Sequence, residues 1–277
     1  MAKAAMELGV EEDEEATAMM GSYCAAVRLV EDAAAEILFL WSIHQPAARK
    51  HNYFVRQSSL ALTLDACGHL LSICQSPSCM GTPGVTGAVV WDCGVVLAKF
   101  MEHAVDSKRL LLQGRMVVEL GSGCGLVGCV AALLGANVIL TDVFDRLRLL
   151  KKNVDANLGV LGSPCGSASV RELIWGDDLE PDLIDPQPDF VLGSDVIYSE
   201  ESVDDLLHTI RQLSGHHTTV FLAGELRNDA VLECFLEAAL KDFQIGHIDH
   251  TQWHPEFCSH RVALFVLARK SLEKTGT

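Results

Sequence analysis

The segment Met116–Asp142, reading MVVELGSGCGLVGCVAALLGANVILTD, limits what this chain can fold into more than any other stretch. Met116-Val117-Val118-Glu119-Leu120 is a short apolar run with two β-branched residues, cut off by a glycine cluster, as a buried parallel strand reads. From Cys124 to Leu134 the residues are small or apolar and include no proline, which predicts a helix that Gly135 ends in a left-handed conformation. Asn137 to Thr141 then reads as a second strand, closed by Asp142. Strand, glycine turn, helix and strand in this order form a right-handed crossover with a ligand loop at its switch.

Gly121, Gly123 and Gly125 remove side chains where backbone must pass close to a ligand, and they leave amides facing outward at a helix N-terminus. Asp142 ends the next strand, where a carboxylate accepts hydrogen bonds from ribose hydroxyls, so a nucleoside-bearing ligand is expected. Gly123-Cys124-Gly125-Leu126-Val127-Gly128 satisfies the dinucleotide pattern G-x-G-x-x-G, which by itself is a weak signal. Glu119, two places before the first glycine, argues against a dinucleotide, because a carboxylate there repels a pyrophosphate and suits an amino group. S-adenosylmethionine carries an ammonium, a sulfonium and a ribose, and no phosphate. A glycine-rich turn without a ligand is the competing reading.

On these residues the chain resembles the class I S-adenosylmethionine-dependent methyltransferases, whose first motif reads as Glu119-Leu120-Gly121-Ser122-Gly123-Cys124-Gly125 does here. The run Thr86-Gly87-Ala88-Val89-Val90-Trp91-Asp92 narrows the resemblance to methyltransferase family 16, which includes protein lysine methyltransferases acting on valosin-containing protein and on cytosolic heat-shock chaperones. The resemblance implies that Trp91 helps form the cofactor site and that Trp175, in the pair Trp175-Gly176, lies against the adenine, a role an indole can fill. A core aromatic at Trp91 and a surface-loop aromatic at Trp175 are the alternatives. Asp195-Val196-Ile197-Tyr198 fits the family's D-x-x-Y, so Asp195 is expected to orient the acceptor amine or take its proton, and Tyr198 to line its channel. Ser194 stands at the polar end of the same strand, on the ligand edge of a parallel sheet. The implied fold is an α/β, Rossmann-like seven-stranded class I methyltransferase sheet with helices on both faces and an N-terminal extension. The implied activity is S-adenosyl-L-methionine-dependent methyl transfer to a lysine of a protein. A nicotinamide-dependent oxidoreductase and an inactive cofactor-binding module remain as other readings, and histidine or a small molecule as other acceptors.

Elsewhere the sequence punctuates itself clearly. Residues 1–20, with Glu11-Glu12-Asp13-Glu14-Glu15, read as an acidic disordered tail, residues 21–56 as a helical extension with its helix over Glu31 to Trp41 stopping before Pro46, 57–270 as the methyltransferase domain and 271–277 as a C-terminal tail. Two short apolar runs flank Asp65-Ala66-Cys67-Gly68 as a hairpin, and Gln75 to Gly87 is a loop. Helices are expected over Cys93 to Glu102, Asp145 to Leu158, Glu201 to Leu213 and Asn228 to Lys241, with Asn228 as N-cap and Arg146 on a solvated basic face. Strands are expected over Ser169 to Trp175, Asp189 to Tyr198, Thr218 to Ala223 and Arg261 to Ala268. The histidines from His247 to His260 match no standard zinc spacing, and His247 with Asp249 suggests a half-exposed strand, so no metal is expected. A net charge of −16 argues against nucleic acid and for a protein partner with a basic surface. The ten cysteines form no C-x-x-C pair, and neither a secretory signal nor a membrane span is read, which predicts a cytoplasmic or nuclear protein. A chaperone or an AAA ATPase is the protein substrate that the resemblance implies.

Overall fold

The computed structural model describes residues 17–43, 53–81, 86–159 and 166–270. The acidic run, the turn at Pro46, part of the Gln75 to Gly87 loop and the C-terminal tail lie outside the described residues. Five parallel strands carry the centre: β5 (Met116–Leu120), β6 (Asn137–Asp142), β7 (Ser167–Glu172), β8 (Phe190–Ser194) and β9 (Thr219–Glu225). Antiparallel β10 (Phe243–His247) and β11 (Val262–Arg269) continue the sheet past β9. These seven strands run β10-β11-β9-β8-β5-β6-β7 and are the expected methyltransferase sheet. The count of seven needs correcting to nine, because β1 (Thr17–Met20) and β2 (Tyr23–Val30) form a hairpin whose second strand pairs with β10, Ile245 against Val30. The hairpin covers a β10 edge that would otherwise present unpaired backbone groups. Residues 17–30, expected as the end of a tail and the start of a helical extension, are thus strands of the main sheet, and only α1 (Ala33–Ile43) is helical there among the described residues.

Two apolar layers sandwich the sheet, and β5 shows how sequence alternation feeds them. Val117 packs into the layer under α2 (Asp92–Asp106), α3 (Leu126–Leu133) and α4 (Phe144–Leu158), while Val118 and Leu120 face the layer of α1, α6 (Val203–Leu213) and α7 (Asp229–Ala239). In α6 the buried Val203, Leu206, Leu207, Ile210 and Leu213 recur at helical spacing, so this face closes on the sheet while Asp204 and Asp205 stay in water. A separate hairpin, β3 (Ala61–Ala66) and β4 (His69–Cys74), is tied to α4 by hydrogen bonds that Asn153 and Asn157 accept from the amides of Cys74 and Ser72. Among the described residues no helix is long and apolar enough to cross a membrane.

Several boundaries move. Strand β7 ends at Glu172 and β8 at Ser194, so Trp175 and the Asp195 to Tyr198 run belong to the loops that follow these strands. Asn228 occupies the position before α7, but its side chain makes no capping bond. His247 is buried rather than half-exposed, held beside Glu36 and Arg28. Because β5 has β6 on one side and β8 on the other, the connections diverge here, and a crevice opens at the carboxyl ends of these strands.

Candidate active site

The crevice is a cleft of about 690 Å³, in the size range of small-ligand sites. Trp91, Glu119, Gly121, Ser122, Gly123, Asp142, Trp175, Ser194, Asp195 and Tyr198, every residue singled out from the sequence, line it. The glycine loop forms one wall. Gly123 has a φ of +52°, and a Cβ there would stand 3.2 Å from the carbonyl oxygen of Gly87, so a side chain would strain the backbone and press on that carbonyl. Gly128, inside α3, lets the helix lie on the sheet: a Cβ would come within 2.5 Å of Glu119 Oε2.

Two carboxylates underlie this wall in different ways. Asp142 accepts the Gly123 amide on Oδ2 at 2.7 Å and its neighbour Val143 on Oδ1 at 2.8 Å, so it shapes the loop as well as facing the cleft. Burial raises its pKa, against these two amides and the Arg146 guanidinium. Arg146 is half-buried and lines the cleft, which corrects its placement on a solvated face. Glu119 is 1% exposed, and burial pushes its carboxyl up to about 8, with the Ser122 hydroxyl and the Gly128 amide offsetting part of the rise. Its Oε2 is buried without a hydrogen-bond partner at normal geometry.

The opposite wall comes from the ends of β8 and β9 and the start of α2. Asp195 adopts a φ of +60°, which is uncommon outside glycine and is held here by its amide bond to the Ala223 carbonyl. Its Oδ2 accepts from Arg227 at 2.8 Å and its Oδ1 from the Cys93 thiol at 3.6 Å. Burial raises the Asp195 pKa and the Arg227 charge opposes that. Arg227 also donates from Nε to Glu225 at 2.7 Å and lies 4.2 Å over the Trp91 indole. Trp91 Nε1 donates to the Thr86 carbonyl at 3.1 Å, fixing the ring against the glycine-rich approach. Tyr198 is 47% exposed at the mouth, its ring centre 6.1 Å from that of Trp175.

Cys93, Glu225 and Arg227 were not singled out from the sequence. Arg227 stands two residues past the end of a parallel strand, the position that pointed to Asp195, but β9 carries no motif to draw attention to it.

The comparisons with known proteins agree with this architecture. A family model described as lysine methyltransferase matches residues 79–241, more than half of the chain. Protein N-lysine methyltransferase METTL21A of Mus musculus is 41% identical over 165 residues, covering 60% of this chain and 71% of that protein. Its namesake in Danio rerio is 37% identical over 201 residues, 71% of this chain and 84% of that one. EEF1A lysine methyltransferase 3 of Mus musculus is 37% identical over 63% of this chain and 69% of its own length. The literal dinucleotide pattern thus does not mark an oxidoreductase, and the chain belongs to the lysine methyltransferases of methyltransferase family 16.

Proposed function

We propose that the cleft binds S-adenosyl-L-methionine against the glycine loop and a protein lysine against Asp195 and Tyr198. The observation that carries this reading is the convergence of all ten motif residues, drawn from five separate stretches of sequence, on one cleft at the switch point. The residues fit the cofactor. The approach of Gly123 to Gly87 leaves bare backbone along the loop, and each Asp142 oxygen keeps a lone pair for a ribose hydroxyl beyond its amide partner. Glu119 brings an incompletely bonded carboxylate on the side suited to an ammonium. Trp175 offers an indole face to the adenine, and Ser194 and Trp91 line the path between the two walls. When bound, S-adenosyl-L-methionine supplies an electrophilic methyl group carried on a sulfonium.

The chain's own residues have to orient the acceptor and present it without its proton. A lysine in water has a pKa of about 10.4, so an apolar entry past Tyr198 and Trp175 favours the uncharged form. Asp195, fixed by Arg227, Cys93 and its strained backbone, directs the nitrogen, and holding the reactants in one geometry supplies much of the rate. We further propose a chaperone or an AAA ATPase as the protein substrate, and the cytoplasm and nucleus as compartments. The family resemblance, the net charge of −16 and the free thiols of all nine described cysteines support these assignments. Incubating the full chain with cell extract and methyl-labelled cofactor, followed by mass spectrometry, tests the reading. Label on lysine of a small set of proteins is expected, and label confined to histidine or to small molecules overturns it.

A further inference from the structure

Arg227 is a cation placed where a cationic substrate side chain must arrive, and the acceptor chemistry gives it no obvious task. Its NH2 lies 2.8 Å from Asp195 Oδ2, its Nε 2.7 Å from Glu225 Oε2, and Arg261 holds the other oxygen of Glu225. The side chains of Asp195 and Glu225 are 7% and 5% exposed, whereas that of Arg227 is 35% exposed and faces the cleft. The charges of these two carboxylates and two guanidiniums therefore cancel, with Asp92 the next acidic group beyond Glu225. Without Arg227 the excess negative charge would hold the ammonium form of lysine, which has no lone pair to offer. Resting on the methyltransferase reading, we propose that Arg227 is a positioning residue that cancels the charge of Asp195 and Glu225, so that the cleft takes up the neutral amine in preference to its ammonium form. The proton is left in bulk water before entry.

The other titratable or charged groups around this region are Asp92 and Cys93 at the start of α2, Tyr198 after β8, and Glu119, Asp142, Arg146 and Asp205 elsewhere on the cleft. Asp92 is occupied by the amides of Tyr53, Phe54 and Val55, and burial keeps the Cys93 thiol protonated. Glu119, pushed up to about 8 in the free protein, faces the ammonium of bound S-adenosyl-L-homocysteine alike in every variant.

The test saturates the full chain with S-adenosyl-L-homocysteine and titrates n-butylamine, a surrogate for the lysine side chain, from pH 7 to 9.5. Binding is read from the indole N–H signal of Trp91, which stacks on Arg227. For the wild type, affinity per total amine should rise about tenfold per pH unit, as the neutral fraction does below a pKa of about 10.4. In Arg227→Gln that slope should flatten and affinity at pH 7 should rise at least tenfold, because a unit charge at such range moves a pKa by about one to two units. Arg227→Lys should restore the wild-type slope. A wild-type affinity that does not rise with pH, no amine binding at pH 9.5, or a folded Arg227→Gln with the wild-type slope overturns the proposal. Failure to bind S-adenosyl-L-homocysteine overturns the methyltransferase site instead.

Discussion

Replacing Glu119 with glutamine should stabilise the free protein at alkaline pH and leave it unchanged in acid. The carboxyl sits at the end of β5 under the glycine loop, 1% exposed, and burial lifts its pKa from 4.5 to about 8. Below pH 4.5 both folded and unfolded chains hold the proton, so the group costs nothing. Between 4.5 and 8 the unfolded chain sheds it while the folded chain keeps it, and stability falls as pH rises. Above 8 the penalty is complete, on the order of 5 kcal/mol at 1.36 kcal/mol per unit. Glutamine has the same shape, can accept from the Gly128 amide and carries no charge at any pH. Urea unfolding of wild type and Glu119→Gln from pH 4.5 to 9 should therefore give curves that meet in acid and separate by several kcal/mol above pH 8. Calorimetry adds a second reading: at pH 7 the cofactor's ammonium should draw a proton off Glu119 on binding, a release absent from Glu119→Gln. Parallel stability curves, or proton release equal in both proteins, would refute the placement of a buried carboxyl without a cationic partner beneath the loop.

Asp142→Ala should weaken S-adenosyl-L-homocysteine binding roughly tenfold to a hundredfold in calorimetric titration, since a hydrogen bond to a charged group contributes about 1.5 to 3 kcal/mol and the Gly123 amide also loses its anchor. An unchanged affinity would separate the carboxylate from the ribose. Gly123→Val should abolish binding while the fold survives, because the branched side chain meets the Gly87 carbonyl at 3.2 Å and the backbone is at φ +52°. A folded variant that binds normally would move the site away from the loop.

How far the sequence could be read depended on whether each element's burial followed one period. The unit β5, α3, β6 was legible because both of its strands are buried on two faces and its turn is built from glycines. The N-terminal hairpin was not, since the buried residues of β2, Tyr23, Val27 and Val30, are spaced four and three apart, as on a helix. Pairing with β1 in a hairpin, and with β10 over two hundred residues away, makes this stretch a strand. Strands β7 and β8 were read too long because apolar residues such as Ile174, Trp175, Val196 and Ile197 continue past the last ladder bond to line the cleft or pack beside it. The candidate site was legible where a motif carried it. Arg227, Glu225 and Cys93 were silent because what they do depends on side-chain contacts with Asp195 across thirty or more residues.

Two acidic side chains at the carboxyl ends of neighbouring strands divide the labour of the cleft by environment. Glu119 is buried with no cation beside it, and the Ser122 hydroxyl and Gly128 amide offset only part of the cost, so it holds its proton until about pH 8 and becomes a charge partner when a cation arrives. Asp195 is also buried, yet Arg227 at 2.8 Å opposes the rise and commits one of its oxygens in advance. Separating the ionisation of paired carboxylates is a general way for one fold to give them different roles. On the proposed reading it separates the two cations of the reaction: the donor's ammonium would meet a carboxylate with no cationic partner, whereas a lysine ammonium would meet one that Arg227 already neutralises. The donor end thus rewards a charged ligand and the acceptor end an uncharged one, which is the asymmetry that transfer of a methyl group to an amine requires.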